Sequence, residues 1–195
     1  MKKLSALLLV VSLAFATGCS SDSGTKSEDK NFVLGMYDTV LDFAPKASQP
    51  SKEEIENMLE AAVKAPSGLN QQHYWITVIT DYDTQMELAL TPETRPEKGT
   101  VLFIYSVPTD EETSAANIGI SYGYLNAQAQ LDGYGTHIYS QPARMLGAEG
   151  KGSEFGIPEG YDPVEFVLVG KPHEVDGKTA ATPGNRESKW NFFEK

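Results

Sequence analysis

Residues 61–81 read AAVKAPSGLNQQHYWITVITD, and where this stretch breaks decides the fold. An apolar helix end runs into Pro66, crosses Ser67, Gly68, Leu69 and Asn70, and resumes at Trp75 as a β-branched run. The residue before a proline is pushed out of the α region, so the helix stops at Ala65. β-Branched and aromatic residues suit a pleated surface, so a strand is predicted over 75–81. A polar turn between two half-apolar elements either caps the helix or faces something beyond its own chain. Ser67 and Asn70 suit both roles, since Asn tolerates left-handed dihedrals and a hydroxyl and an amide each donate and accept.

Working upstream, Ser51 followed three residues later by Glu54 is a capping box, and Glu53, Glu54 and Glu56 favour the positive end of a helix dipole. Ile55, Met58, Leu59, Ala62 and Val63 recur at helical spacing, so the helix has one apolar face. Downstream, TVLFIYSVP (100–108) is nearly all apolar and predicts a strand buried on both faces, and PVEFVLVG (163–170) predicts a third. Between them, TSAANIGISYGYLNAQAQLDGYG (113–135) places Ala115, Gly119, Gly123 and Ala127 four residues apart. Such a helix has a stripe without bulk, and each glycine costs about 1 kcal/mol relative to alanine. Close helix contact, within the subunit or across a dimer, would offset that cost. GAEGKGSEFG (147–156) lacks the preceding strand and following Lys-Ser/Thr of a phosphate loop, and reads as a mobile loop. Helix, strand, strand, long helix, strand is an α+β order.

The first 18 residues read as a secretory signal, with Lys2 and Lys3, an apolar run, and the small residues Ala16-Thr17-Gly18 before Cys19. The string ATGC (16–19) resembles the lipobox of bacterial lipoproteins, with Ala16 where Leu is usual, which implies a lipid on Cys19. Residues 20–30 contain no apolar side chain and read as a tether, leaving 31–195 as one domain. The expected location is the membrane surface outside the cytoplasm, held by the lipid alone. With one cysteine, no internal disulfide can form. The formal net charge of −11 disfavours nucleic acid and anionic lipid as partners. His73, His137 and His173 lie far apart in sequence without cysteines, so no metal site is expected.

The opening stretch resembles the segment of nitroreductase-like flavoproteins in which a helix ends in Ala-Pro-Ser, passes an Asn and a Gln-Pro-Trp, and enters a strand. LNAQAQLDGYGTHI (125–138) and FGIPEGYDPVEFVLVGKP (155–172) resemble later parts of the same family, in the same order. The resemblance implies a three-layer α+β sandwich, a mixed or antiparallel sheet flanked by helices, and a homodimer. It implies flavin mononucleotide (FMN) bound between subunits and two-electron reduction of a small nitro- or quinone-like substrate. By the same resemblance Ser67 and Asn70 reach the cofactor across the interface. Thr39, Pro66, Gln72, Ser140 and Gln141 would also contact it, and Arg186 and Lys189 would attract its phosphate.

The chain departs from the family pattern where basic residues would hold that phosphate. There it reads YDTVLDF (37–43), with Asp38 and Asp42 in place of cations and only Thr39 as a hydroxyl. Gln72-His73-Tyr74 replaces Gln-Pro-Trp, with Trp75 one residue late, and the short link between the first two strands leaves no room for a substrate-covering insertion. FMN is therefore expected to be held weakly or to be lost. In the latter case the chain is a cofactor-less binding or structural lipoprotein. No catalytic acid or base stands out.

Overall fold

The computed structural model describes residues 32–36, 39–89, 91, 95–110, 115–176, 178–179 and 189–193. The expected signal, Cys19, the tether, Asp38 and Arg186 lie outside the described residues.

After a single turn, α1 (Phe32–Gly35), the first long element is α2 (Lys52–Lys64), and it starts as its capping box dictates. The Glu54 N–H donates to the Ser51 hydroxyl at 3.3 Å, and the Ser51 N–H donates to the Glu54 carboxylate at 2.7 Å. These bonds to Ser51 hold the Glu54 carboxyl below its ordinary pKa. Ile55, Met58 and Ala62 are buried and Leu59 is half-buried, while Val63, at the edge of the stripe, is exposed.

The chain then runs β1 (Trp75–Ile79), α3 (Tyr82–Glu87), β2 (Val101–Pro108), α4 (Ala115–Leu131), β3 (Gly135–Tyr139), α5 (Gln141–Ala148) and β4 (Tyr161–Gly170). A small hairpin, β5 (Glu174–Val175) with β6 (Lys178–Thr179), follows. The main sheet has the order β1-β2-β4-β3 and every pairing in it is antiparallel. β2 is central and buried on both faces, as its apolar run predicts. Val101, Phe103 and Tyr105 meet Met58 and Ala62 of α2 and Leu125 and Ala129 of α4 on one side. Leu102 and Ile104 meet Ala143 and Leu146 of α5 on the other. Helices, sheet and helix form the three expected layers.

Four elements depart from the sequence reading. β3 and α5 arise at 135–148, between the helix read within 113–135 and the loop read at 147–156, where the sequence reading named no element. α4 ends at Leu131, and Gly133 at φ 76° turns the chain back to form β3. The 147–156 stretch is not a free loop: α5 runs through Ala148, and a 3-10 turn (Gly152–Phe155) buries Gly152 against Ile157. α3 was not expected either; Asp81 caps it, accepting from the Thr84 N–H at 2.8 Å.

Gly135 and Gly170 face each other across β3 and β4. A Cβ on the first would run into Val40, and one on the second would stand 2.9 Å from both Phe43 and Thr100. Two bare positions thus let residues 40–43 cross the end of the sheet. The crossing is fixed by Val40 N–H to Thr136 O (2.9 Å), Ala44 N–H to Lys171 O (2.8 Å) and His173 N–H to Asp42 O (2.9 Å).

Candidate functional site

The turn that ends α2 is polar because it closes the helix and still leaves atoms to spare. The Gln72 side-chain amide donates to Val63 O at 2.7 Å, satisfying a carbonyl of the last helical turn, and the Gln72 N–H donates to the Ser67 hydroxyl at 3.1 Å. Ala62 O accepts from the Tyr74 and Ser121 hydroxyls at 3.1 and 3.0 Å. Ser67 thus braces the turn, and it is the Gln72 side chain that reaches the helix end. Yet Leu69, Asn70 and Gln72 all take left-handed dihedrals, at φ 52°, 57° and 50°. This conformation costs a non-glycine residue about 1–2 kcal/mol, less for Asn. Leu69 is 91% exposed, and Pro66 and Asn70 are exposed beside it.

The turn is tied to α4 by one bond, Gly68 N–H to the Asn117 side-chain oxygen at 3.1 Å. Asn117 sits in the first turns of α4, beside Ile118 and Gly119. Those two line a cavity of about 430 Å³ with Val107, Ala115, Ile138, Val164, Arg144 and Glu165. The walls are aliphatic because the ends of β2, β3 and β4 and the start of α4 all bring apolar side chains there. Two charges break that surface: Arg144 from α5, exposed, and Glu165 from β4, half-buried. Ser140, which follows the last residue of β3, lies 2.8 and 2.7 Å from the two Glu165 oxygens and donates to them.

The structure therefore gathers most of the sequence-named residues near one end of the sheet. Pro66, Ser67, Asn70 and Gln72 form the turn, and Ser140 with the exposed Gln141 stands at the entry to α5. Thr39 is elsewhere: its hydroxyl donates to Thr136 O at 3.4 Å, near the start of β3. Ser140 lies four residues beyond Thr136, about 13 Å at a strand's rise. Lys189 is exposed. The Asp42 carboxylate is 2.7 Å from the His173 ring nitrogen, so its charge has a partner within the chain. Arg144, Glu165 and Asn117 escaped the sequence reading. Arg144 lies on a helix that was not expected, and Glu165 was covered only as part of the strand predicted over 163–170. Among the described residues no group of His, Cys, Asp or Glu has metal-site geometry, and no helix is long and apolar enough to cross a membrane.

This layering, with an antiparallel sheet between helices, is matched in solved structures. The fold is that of the nitroreductases. A nitroreductase from Desulfitobacterium hafniense, solved with bound FMN, has a TM-score of 0.67 at 21% identity, over 86% of this chain and 99% of that one. A nitroreductase-like protein from Streptococcus mutans gives 0.67 at 21%, over 86% and 98%. A nitroreductase from Bacteroides fragilis with bound FMN gives 0.67 at 15%, over 87% and 100%. At these identities the likeness is one of fold. No family model and no curated protein matches the sequence.

The donor set of this nitroreductase-fold pocket decides whether a flavin fits it. Aliphatic walls suit the faces of a flat ring, and a cation and a carboxylate on the rim suit a ring edge that both accepts and donates. The ring fits. Of the residues named for the phosphate, Lys189 is exposed and lines none of the cavities described, while Thr39 and Asp42 are engaged within the chain.

Proposed function

We propose that this chain is a flavin-dependent oxidoreductase that reduces a small electron-poor substrate, of nitro or quinone type, by two electrons. The observation that carries the reading is the aliphatic pocket with Arg144 and Glu165 on its rim, in a nitroreductase fold. Flavin, when bound, supplies the chemistry by taking up and releasing hydride. The chain's residues supply position and dryness: Val107, Ile118, Ile138 and Val164 exclude water from one side. Asn70 and Leu69, projecting from a strained turn, close the site from a second copy.

The second copy is supported by α4. Among the described residues a Cβ on Gly119 or Gly123 would meet nothing within 4 Å, so the stripe leaves an open groove there, with Val33, Met36 and Ala61 on its other walls. Beside it Ile120, Tyr124 and Leu131 stay exposed. A homodimer through this face covers them and brings each turn to the partner's pocket. In this proposal Cys19 carries a lipid that holds the dimer on the outer side of the cell membrane, and Cys19→Ala releases it to the soluble fraction.

The visible spectrum of the purified chain, before and after addition of FMN, tests the reading. Flavin absorption that persists through gel filtration supports it. A colourless chain that takes up none supports instead a cofactor-less binding lipoprotein, the reading favoured by Asp42 where the family resemblance calls for a cation.

A further inference from the structure

The two charges of the pocket do not neutralise each other. Among the described residues, the ion pairs Lys52–Glu56 and Lys151–Glu149 and the hydrogen bond between His173 and Asp42 lie elsewhere. Arg144, exposed and lining the pocket, carries a guanidinium with five N–H donors and no acceptor. Glu165 is held in place by Ser140, but one hydroxyl has one proton to give. The carboxylate keeps lone pairs for a further donor, and it offers no proton of its own when ionised. A ligand that satisfies both ends carries an N–H and, close to it, a carbonyl or a negative charge. The rest of it is flat and apolar enough for Val107, Ile118, Ile138 and Val164. Within a flavin, the pyrimidine edge has that pattern: an imide N–H between two carbonyls.

We infer that Arg144 and Glu165 clamp the imide edge of the ring, Glu165 accepting from the N–H and Arg144 donating to a flanking carbonyl, with Ser140 as the positioning residue. This inference rests on the flavin binding proposed above. Two properties follow from it. Blocking the imide N–H costs affinity, because the carboxylate is left without its donor inside a largely apolar pocket. Arg144 also favours the reduced ring, whose added negative charge falls on the carbonyl side of that edge.

Riboflavin and 3-methylriboflavin test the clamp directly, since neither has a phosphate and they differ only at the imide nitrogen. The full chain is expected to bind riboflavin about tenfold or more tighter than the methylated ring, as loss of one charge-assisted bond dictates. Glu165→Gln should narrow that ratio, and Ser140→Ala should narrow it less. Arg144→Gln should weaken dithionite-reduced riboflavin about tenfold more than the oxidised form, read as a fall of about 30 mV in the bound two-electron potential. If the wild-type chain binds both rings equally, or the variants leave both ratios unmoved, the clamp is overturned while flavin binding stands. If wild type takes up neither riboflavin nor FMN, flavin binding itself is overturned.

Discussion

On its inner face α4 buries Ile118, Leu125 and Ala129 against the sheet. There Ser121 links the Tyr105 hydroxyl to Ala62 O, and Asn126 accepts from Thr136 and Gln130 at 2.8 and 3.0 Å. On its outer face the same helix has open space at Gly119 and Gly123 among the described residues, with Ile120, Tyr124 and Leu131 at 39%, 46% and 60% exposure. One face completes a single chain, since apolar area is removed from water and polar atoms are paired. The other offers apolar surface to something outside it. Substitutions on the two faces should therefore separate stability from association.

The largest effect is expected on the inner face. Leu125 is fully buried between α2, α4 and β2. Leu125→Ala removes its methyl groups and leaves a cavity, at a cost of about 2–5 kcal/mol. Urea unfolding followed by circular dichroism measures it; a loss under about 1 kcal/mol would mean that the core collapses around the gap. On the outer face, Gly123→Leu should do the opposite. It gains about 0.8 kcal/mol of helix propensity in the single chain and, if the proposed dimer forms through this face, abolishes it by filling the approach surface. Sedimentation equilibrium decides: dimers that survive the leucine do not use this face.

The contrast also explains what was legible in the sequence. α2, β1, β2 and β4 were readable because a local rule fixes each: a capping box, a β-branched run, two runs of apolar residues buried on both faces. β3 was not, because GTHIY (135–139) holds only one strongly apolar residue and takes its strand form from pairing with β4. α5 was missed for the same reason, since Pro142 and Gly147 bracket a short helix whose stability comes from packing Ala143 and Leu146 on the sheet. Missing both elements hid the two residues they give to the pocket wall, Ile138 and Arg144. The turn at 66–72 was legible as a turn, but its three left-handed residues were not, because only Asn70 among them advertises that conformation.

A smaller effect is expected at that turn. Leu69 spends backbone strain to stand 91% exposed at φ 52°. Leu69→Gly should relieve the strain and, after the extra entropy glycine has in the unfolded chain, raise single-chain stability by about 0.5–1 kcal/mol. If a second copy covers Leu69, the same change weakens the dimer; thermal melts over a range of protein concentrations separate the two effects. A concentration-independent gain would place Leu69 outside the interface.

The smallest effect concerns β3, whose alternate residues face the two layers. Thr136 points to the α4 side and is tied to Asn126 and Tyr122, whereas His137 is on the other side, stacked on the Tyr139 ring at 3.9 Å. Burial lowers the His137 pKa below its ordinary 6.5, outweighing a backbone bond that raises it. The folded chain thus takes up a proton at His137 less readily than the unfolded chain. As pH falls through about 6.5 the unfolded state binds that proton first, so stability declines until the lowered folded pKa is reached. The carboxyls Glu54 and Asp81, also lowered, act in a separate window, below their ordinary values of 4.5 and 3.8. Thermal melts between pH 7 and 5 should therefore show a falling midpoint that His137→Gln flattens. An unchanged slope in that variant would assign the decline to other groups and leave the Tyr139 stack as packing alone.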